Sequence, residues 1–264
     1  MDLLPGQSLR FPLFLLGLLT LLSWELVRPH HAPAPRRLGR WLENLGLAAL
    51  NGGALTLVCW ACFVIAARDW APWRYGPFQA IAMPAAARVA GEIVALDLLV
   101  YWLHRAYHAT PLLWRFHAVH HSDVELDVST ASRFHLGEVA VSGAAKLGAF
   151  TLLGISPLGL VAFECLMLLA AQFQHANVPV PRRLERVLWW ILVPPAMHRV
   201  HHHPERSLTD SNYGTILTLW DRLFRSLQRV ERPPRFGIEG ATGPDPRGVH
   251  RLLAYPLRAW PRSR

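Results

Sequence analysis

Two histidine stretches limit what this chain can fold into. The first, H-R-A-Y-H-A-T-P-L-L-W-R-F-H-A-V-H-H, runs from His104 to His121, and the second, H-R-V-H-H-H, from His198 to His203. Five of the 14 histidines lie in the first stretch and four in the second. His104 and His108 stand at i, i+4. His117, His120 and His121, and again His198, His201 and His202, stand at i, i+3, i+4. On a helix each set projects from one face. Imidazole ligates iron, zinc, copper and nickel. A tetrahedral zinc site needs only four ligands, so eight histidines at ligand spacing point to two metal ions. Any fold must bring these two stretches together.

The histidines sit in an apolar chain. It is 52% hydrophobic and 17% charged, with 11 Trp and 11 Phe. Long apolar runs of this kind read as a membrane protein. The net charge of +9 is almost all arginine, which suits anionic headgroups at a cytosolic membrane face. It does not suit nucleic acid, because no basic stripe interleaved with aromatics occurs on a soluble module. Three cysteines make no disulfide framework. Cys59 and Cys62 form a C-x-x-C inside an apolar run, and Cys165 is likewise in apolar company. Reactive thiols need polar surroundings, so these read as inert.

Phe11 to Val27 is an apolar run of about the minimum length to span a bilayer. It lacks a basic n-region and a small-residue cleavage site, so it reads as a retained span rather than a signal peptide. Residues 28–44 form a basic segment with Arg28, Arg36, Arg37 and Arg40, kinked by prolines. Leu45 to Ala67 and Phe78 to Leu103 read as second and third spans, joined by a turn from Arg68 to Pro77. Leu136 to Gln174 is apolar but broken by Ser156, Pro157 and Gly159, which predicts a hairpin of two helices entering the membrane and returning. Pro181 to Val193 predicts an amphipathic interfacial helix with Trp189 and Trp190 at headgroup depth. The arginine bias puts the histidine stretches in the cytoplasm and the N-terminus outside.

Further polar residues are candidates for the site. Asp97, Tyr101, His104 and His108 share one helical face, which predicts Asp97 as the acceptor of a ring N–H from a liganding histidine. His175 lies where the hairpin returns, and His135 lies in R-F-H-L-G-E with Glu138 one turn later; both are expected to join the centre. His203 is i+5 from His198 and falls off the shared face. Asn212 and Tyr213 are expected to support the ligands or touch substrate, the alternative being a plain turn at Asn212–Gly214.

Taken together these motifs resemble the fatty acid hydroxylase / sterol desaturase superfamily of membrane di-iron oxygenases. The resemblance rests on H-R-A-Y-H (104–108), H-A-V-H-H-S (117–122), R-F-H-L-G-E (133–138), F-Q-H-A-N (173–177), M-H-R-V-H-H (197–202) and D-S-N-Y-G…W-D-R-L-F (210–224). It covers roughly residues 92–225. It implies iron ligands at His104, His108, His117, His120, His121, His198, His201 and His202, with His175 and His135 at further family positions. Leu136 stands where the family usually has proline, and Arg225-Ser226 where it usually has Gly-Thr; both leave the ligand set intact and the substrate subfamily open.

The expectation is therefore an all-α, polytopic membrane helical protein with a cytosolic-side histidine-rich metal centre. Residues 1–91 form an N-terminal transmembrane region. Residues 92–230 form the hydroxylase-like catalytic domain with its membrane hairpin, and 231–264 a polar C-terminal tail. The resemblance implies two iron ions, O2 as co-substrate, and hydroxylation or desaturation of a lipid C–H bond. No flavin, nicotinamide, haem or Fe–S motif is present in the sequence, so a separate redox donor of cytochrome b5, ferredoxin or reductase type is expected. A metal transporter would place its ligands near the bilayer midplane rather than at span ends. A zinc hydrolase would usually carry H-E-x-x-H, which is missing. Sterol, fatty acyl, sphingoid, alkylglycerol and carotenoid substrates all remain open.

Overall fold

The computed structural model describes residues 7–33, 36–66, 75–230, 235–239 and 247–258. Among these the architecture is helical, with one isolated antiparallel bridge between Leu192 and Leu217. Helix α1 spans Gln7–Val27, α2 Arg37–Ala66, α3 Pro77–Ala80, α4 Ala85–Ala109 and α5 Pro111–His121. A 3-10 turn at Val128–Ser132 leads to the hairpin α6 (Leu136–Leu153) and α7 (Pro157–His175). Then follow α8 (Arg182–Ile191), α9 (Pro195–His201), α10 (Arg206–Thr209), α11 (Leu219–Leu223) and α12 (Val249–Leu253).

Among the described residues, three helices are long and apolar enough to cross a membrane: Leu9–Val27, Leu136–Leu153 and Pro157–His175. The expected hairpin is present, and its corner follows from local chemistry. Gly154 ends α6 in the left-handed region at φ 73°. Ser156 caps α7 by accepting the Gly159 N–H, and Pro157 starts the helix where no N–H is needed. Glu92 on α4 accepts both the N–H and the hydroxyl of Ser156, at 2.9 and 2.6 Å, and so ties the corner to α4. Leu96, Ile155, Phe163 and Ile216 fill the space between.

The third expected span is corrected. The chain breaks at 81–84 between α3 and α4, because Pro84 cannot continue a helix and restricts Met83 before it. Helix α4 also carries Arg88, Glu92, Asp97 and Arg105, and it is not among the helices apolar enough to cross. Its charges are instead used inside the bundle, where Glu92 and Asp97 are fully buried. The expected second span forms helix to Ala66, while Ala67 and the expected turn at 68–74 lie outside the described residues. The first half of α2 packs on the histidine segment through Arg40, Asn44 and Asn51.

Of the stretch expected as a polar C-terminal tail, residues 235–239 and 247–258 are described. Residues 247–258 fold back, so that Leu252 and Tyr255 are buried with Leu47 of α2 and Trp114, Ala118 and Val119 of α5. The V-H-R-L-L-A-Y-P-L pattern supplies one apolar stripe, which explains the docking. The predicted interfacial helix is present as α8, with Leu184, Val187, Trp190 and Ile191 exposed beside three arginines.

Candidate metal centre

The histidine-bearing ends of α4, α5, α7 and α9 converge. His104 and His108 of α4, His117 and His121 of α5 and His201 of α9 form one group. His120 of α5, His175 of α7, His198 of α9 and His202 just after it form a second. Within each group one nitrogen per ring lies within 4.8 Å of all the others. Each H-x-x-H-H motif divides between the two groups. The i, i+4 pair His117/His121 serves the first and His120 the second, while His198/His202 serve the second and His201 the first. One helix face is therefore wide enough to feed two adjacent centres, and the rings of His121 and His202 stack at 4.4 Å across the boundary.

The donor set fits metal ions. His117 and His121 face each other through their Nε2 atoms at 3.1 Å, and the chain His120–His175–His198–His202 does so at 3.1, 3.0 and 3.1 Å. Two cis ligands on an ion with metal–nitrogen bonds near 2.1 Å lie about 3.0 Å apart. The Nε2 atoms of His104 and His201 are buried with no hydrogen-bond partner, an arrangement that costs free energy unless something binds there. Burial, reinforced by neighbouring rings, holds His120, His121, His198 and His202 well below the usual imidazole range. They are thereby kept neutral, the form that ligates metal.

The outer ring nitrogens are held by partners that orient the rings. Nδ1 of His117 meets Glu138 at 2.8 Å, and Nδ1 of His108 meets Asp210 at 3.2 Å. The Nδ1 atoms of His104, His175 and His201 meet the carbonyls of Tyr213, Ala171 and Ser211 at 2.9, 2.7 and 2.7 Å. Donation from Nδ1 turns Nε2 toward the centre, as ligand support requires. Glu138 and Asp210 were not found from sequence in this role. Their signal is a carboxylate close in sequence to a motif histidine, but which ring each reaches depends on how two loops return.

Other candidates fall differently. Asp97 does not touch a histidine. It accepts the N–H groups of Ile216 and Leu217, both at 3.1 Å, and the indole N–H of Trp220 at 2.8 Å. It shares a helical face with His104, but two turns separate them by about 10 Å along the axis, too far for contact. Its work is to hold the 213–220 loop over the centre. His135 lies outside both groups. Its Nδ1 caps α6 by accepting the Gly137 N–H at 2.9 Å, Nε2 meets the Leu253 carbonyl at 3.1 Å, and the ring stacks on Phe116. Asn212 is fully buried with φ 54°, a left-handed conformation that asparagine tolerates well. Its amide donates to the carbonyls of Met197 and Gln228 and accepts the Gln228 N–H, so it fixes the bend that delivers the Ser211 and Tyr213 carbonyls. The Tyr213 ring packs against His104, His108 and His201 at 5.2–5.8 Å.

A prediction follows from the Glu138 contact. Glu138→Gln keeps the shape but replaces the anionic acceptor. It is expected to weaken metal binding about 10–100-fold with little change in fold. Metal titration against a competing chelator checks this, and unchanged affinity would remove Glu138 from the ligand support.

Comparison with known proteins agrees with the site. The family model described as fatty acid hydroxylase matches residues 89–226. The chain is 31% identical to ornithine lipid hydroxylase OlsE of Rhizobium tropici over 174 residues, 66% of this chain and 51% of that one. It is 28% identical to human alkylglycerol monooxygenase over 150 residues, 55% of this chain and 32% of that one. It is 25% identical to human cholesterol 25-hydroxylase over 146 residues, 54% of this chain and 52% of that one. The chain thus spans about half the length of two of these relatives and about a third of the other. No solved structure matches.

Proposed function

The chain belongs to the fatty acid hydroxylase family, and from that premise we propose that it is a membrane-bound oxygenase acting on a C–H bond of a lipid, with two iron ions in the histidine groups. The observation that carries the reading is the pair of histidine groups, of five and four rings, assembled where the apolar helix α7 ends at His175. Bound iron would supply the activation of O2. The ligands we propose are His104, His108, His117, His121 and His201 for one ion, and His120, His175, His198 and His202 for the other.

The chain's own residues do the rest. Glu138, Asp210 and the carbonyls of Ala171, Ser211 and Tyr213 fix ring orientation. Burial excludes bulk water from the rings. The hairpin α6–α7 gives a lipid tail an apolar approach, since α7 ends in His175. Electrons would come from a separate redox protein. We place the centre on the cytoplasmic side, on the arginine bias. The C-terminal end of α1 supports one topology with the N-terminus opposite, because Glu25 accepts the N–H groups of Val128 and Asn177 beside the histidine segments. We take 92–230 as the catalytic unit.

The test is to reconstitute the iron-loaded full chain with a lipid extract, a reductase system and isotopic O2. Label in a lipid, or a desaturated lipid formed with oxygen consumption, is the expected result. Full iron loading and a working electron supply without oxygen consumption would reduce the protein to a metal binder.

A further inference from the structure

Two helices far apart in sequence leave apolar faces open side by side. Helix α8 exposes Leu184, Val187, Trp190 and Ile191, at i, i+3, i+6 and i+7 along one side. Helix α11 exposes Leu219 and Leu223, at i, i+4, while its Trp220 and Asp221 turn inward. The chain clasps the two helices together. Leu192 and Leu217 form the antiparallel bridge, the Val193 N–H donates to the Ile216 carbonyl at 3.0 Å, and the Thr218 N–H donates to the Ile191 carbonyl at 3.3 Å. The Arg222 guanidinium of α11 donates to the Trp189 carbonyl of α8 and lies over the Trp190 ring at 4.2 Å. Arg229 lies over the Trp189 ring at 4.5 Å.

Joined in this way, the two helices present one apolar surface edged with cations. Asp221 is occupied inside by the N–H groups of Tyr213 and Gly214. Glu185 is therefore the one acid at the surface of the two helices, against Arg182, Arg183, Arg186 and Arg222. Guanidinium groups stacked on tryptophan rings at the edge of an apolar face suit a head-group layer, where the rings and stems lie in apolar surroundings and the charges reach phosphate. Position points to the same occupant. Helix α7, long and apolar enough to cross a membrane, ends at His175, and α8 begins at Arg182. The segment 176–181 between them is at most about 20 Å long, so α8 stays close to the end of that helix.

We propose that α8 and α11 together form a single membrane-docking face whose partner is the head-group layer, with Leu219 and Leu223 inserted to the same depth as Val187. The inner side of the same segment serves the metal centre. Asp97 holds the N–H groups of Ile216 and Leu217, and Asp221 holds that of Tyr213, whose carbonyl meets Nδ1 of His104. One loop thus has the membrane on its outer side and the support of a ligand candidate on its inner side.

The experiment uses the full chain with Cys59→Ser, Cys62→Ser and Cys165→Ser, carrying one spin label at a time. The labelled positions are Leu223→Cys, Leu219→Cys and Val187→Cys, with Leu147→Cys in the middle of α6 as the acyl-chain reference and Ser207→Cys, exposed on α10, as the water reference. The protein is reconstituted in vesicles of phosphatidylcholine and phosphatidylglycerol. Spin relaxation by O2, which concentrates in lipid, is compared with relaxation by a water-soluble nickel chelate. Leu223 is expected to give an O2-to-nickel ratio several-fold above Ser207, equal to that of Val187 and below that of Leu147. Leu219 lies on the same face and gives the answer if the Leu223 variant does not fold. A lipid-like ratio at Val187 with a water-like ratio at Leu219 and Leu223 would leave α8 on the membrane alone and overturn the shared face. Water-like ratios at all three positions would assign the surface to a soluble partner. Labels shielded from both relaxants and broadened by a label on a second copy would assign it to self-association, and either result overturns the proposal. The readout involves neither metal nor turnover, so it stands or falls apart from the oxygenase reading.

Discussion

Alanine at His202 is expected to release about half of the bound iron and to take lipid oxidation to background, while alanine at His203 leaves the iron content near that of the unaltered protein. The neighbours are chemically identical and both are buried. His202 faces His198 through Nε2 at 3.1 Å within the second group. His203 lies outside both groups, and its Nδ1 accepts the Glu205 N–H. Metal binding needs the neutral ring and its position together, and only one of the two has the position. Iron analysis of the purified variants decides it. Equal loss at both positions would mean that the turn after α9 differs from the one described.

Arg40→Ala is expected to be the most destabilising single change outside the ligands. The guanidinium bonds Asp123 in bidentate fashion at 2.7 and 3.0 Å, reaches Asp127 at 3.0 Å and donates to the Glu125 carbonyl at 2.8 Å. Asp123 lies two residues past His121, and burial would raise its carboxyl. Arg133 and Arg40 more than offset that and hold it below the usual range. The folded carboxyl titrates lower than the unfolded one, so its stabilisation is present above the unfolded value and fades as pH falls through the folded one. Removing one partner of a buried pair leaves an uncompensated charge and costs about 3–5 kcal/mol. For a chain of this size that is a fall in melting temperature on the order of 10 °C. Thermal unfolding in detergent at neutral pH measures it. A change within error would show that water replaces the pair without cost.

Much of the site was legible because ligand spacing is a local property. His104 and His108, the two H-x-x-H-H sets and the hairpin that returns at His175 all follow from helix periodicity and from prolines and glycines that end helices. What periodicity cannot supply is depth along an axis. Asp97 shares a face with His104 but stands two turns from it, and the loop that it holds, 216–220, is far away in sequence. His135 reads like a ligand in R-F-H-L-G-E, but it is an N-cap. The true partner of His117 is Glu138, three residues further on. Asn212 was marked for its polarity and matters for its backbone angle. The third apolar run reads as a span in sequence, but its Glu92 and Asp97 find their partners inside the protein.

The stretch shared with the family, 89–226, is shorter than the stretch that has to fold. Arg40 and Asn44 enter from α2 to satisfy Asp123 and Ser129, and Leu252 and Tyr255 return from the far end to cover α5. The portion that is portable between relatives is thus not autonomous. Its acids and its α5 surface depend on flanks that the family match does not cover. Grafting residues 89–226 onto another membrane anchor would strand those groups, so a chimera has to carry its own flanks, and the shared stretch and its flanks must change in step.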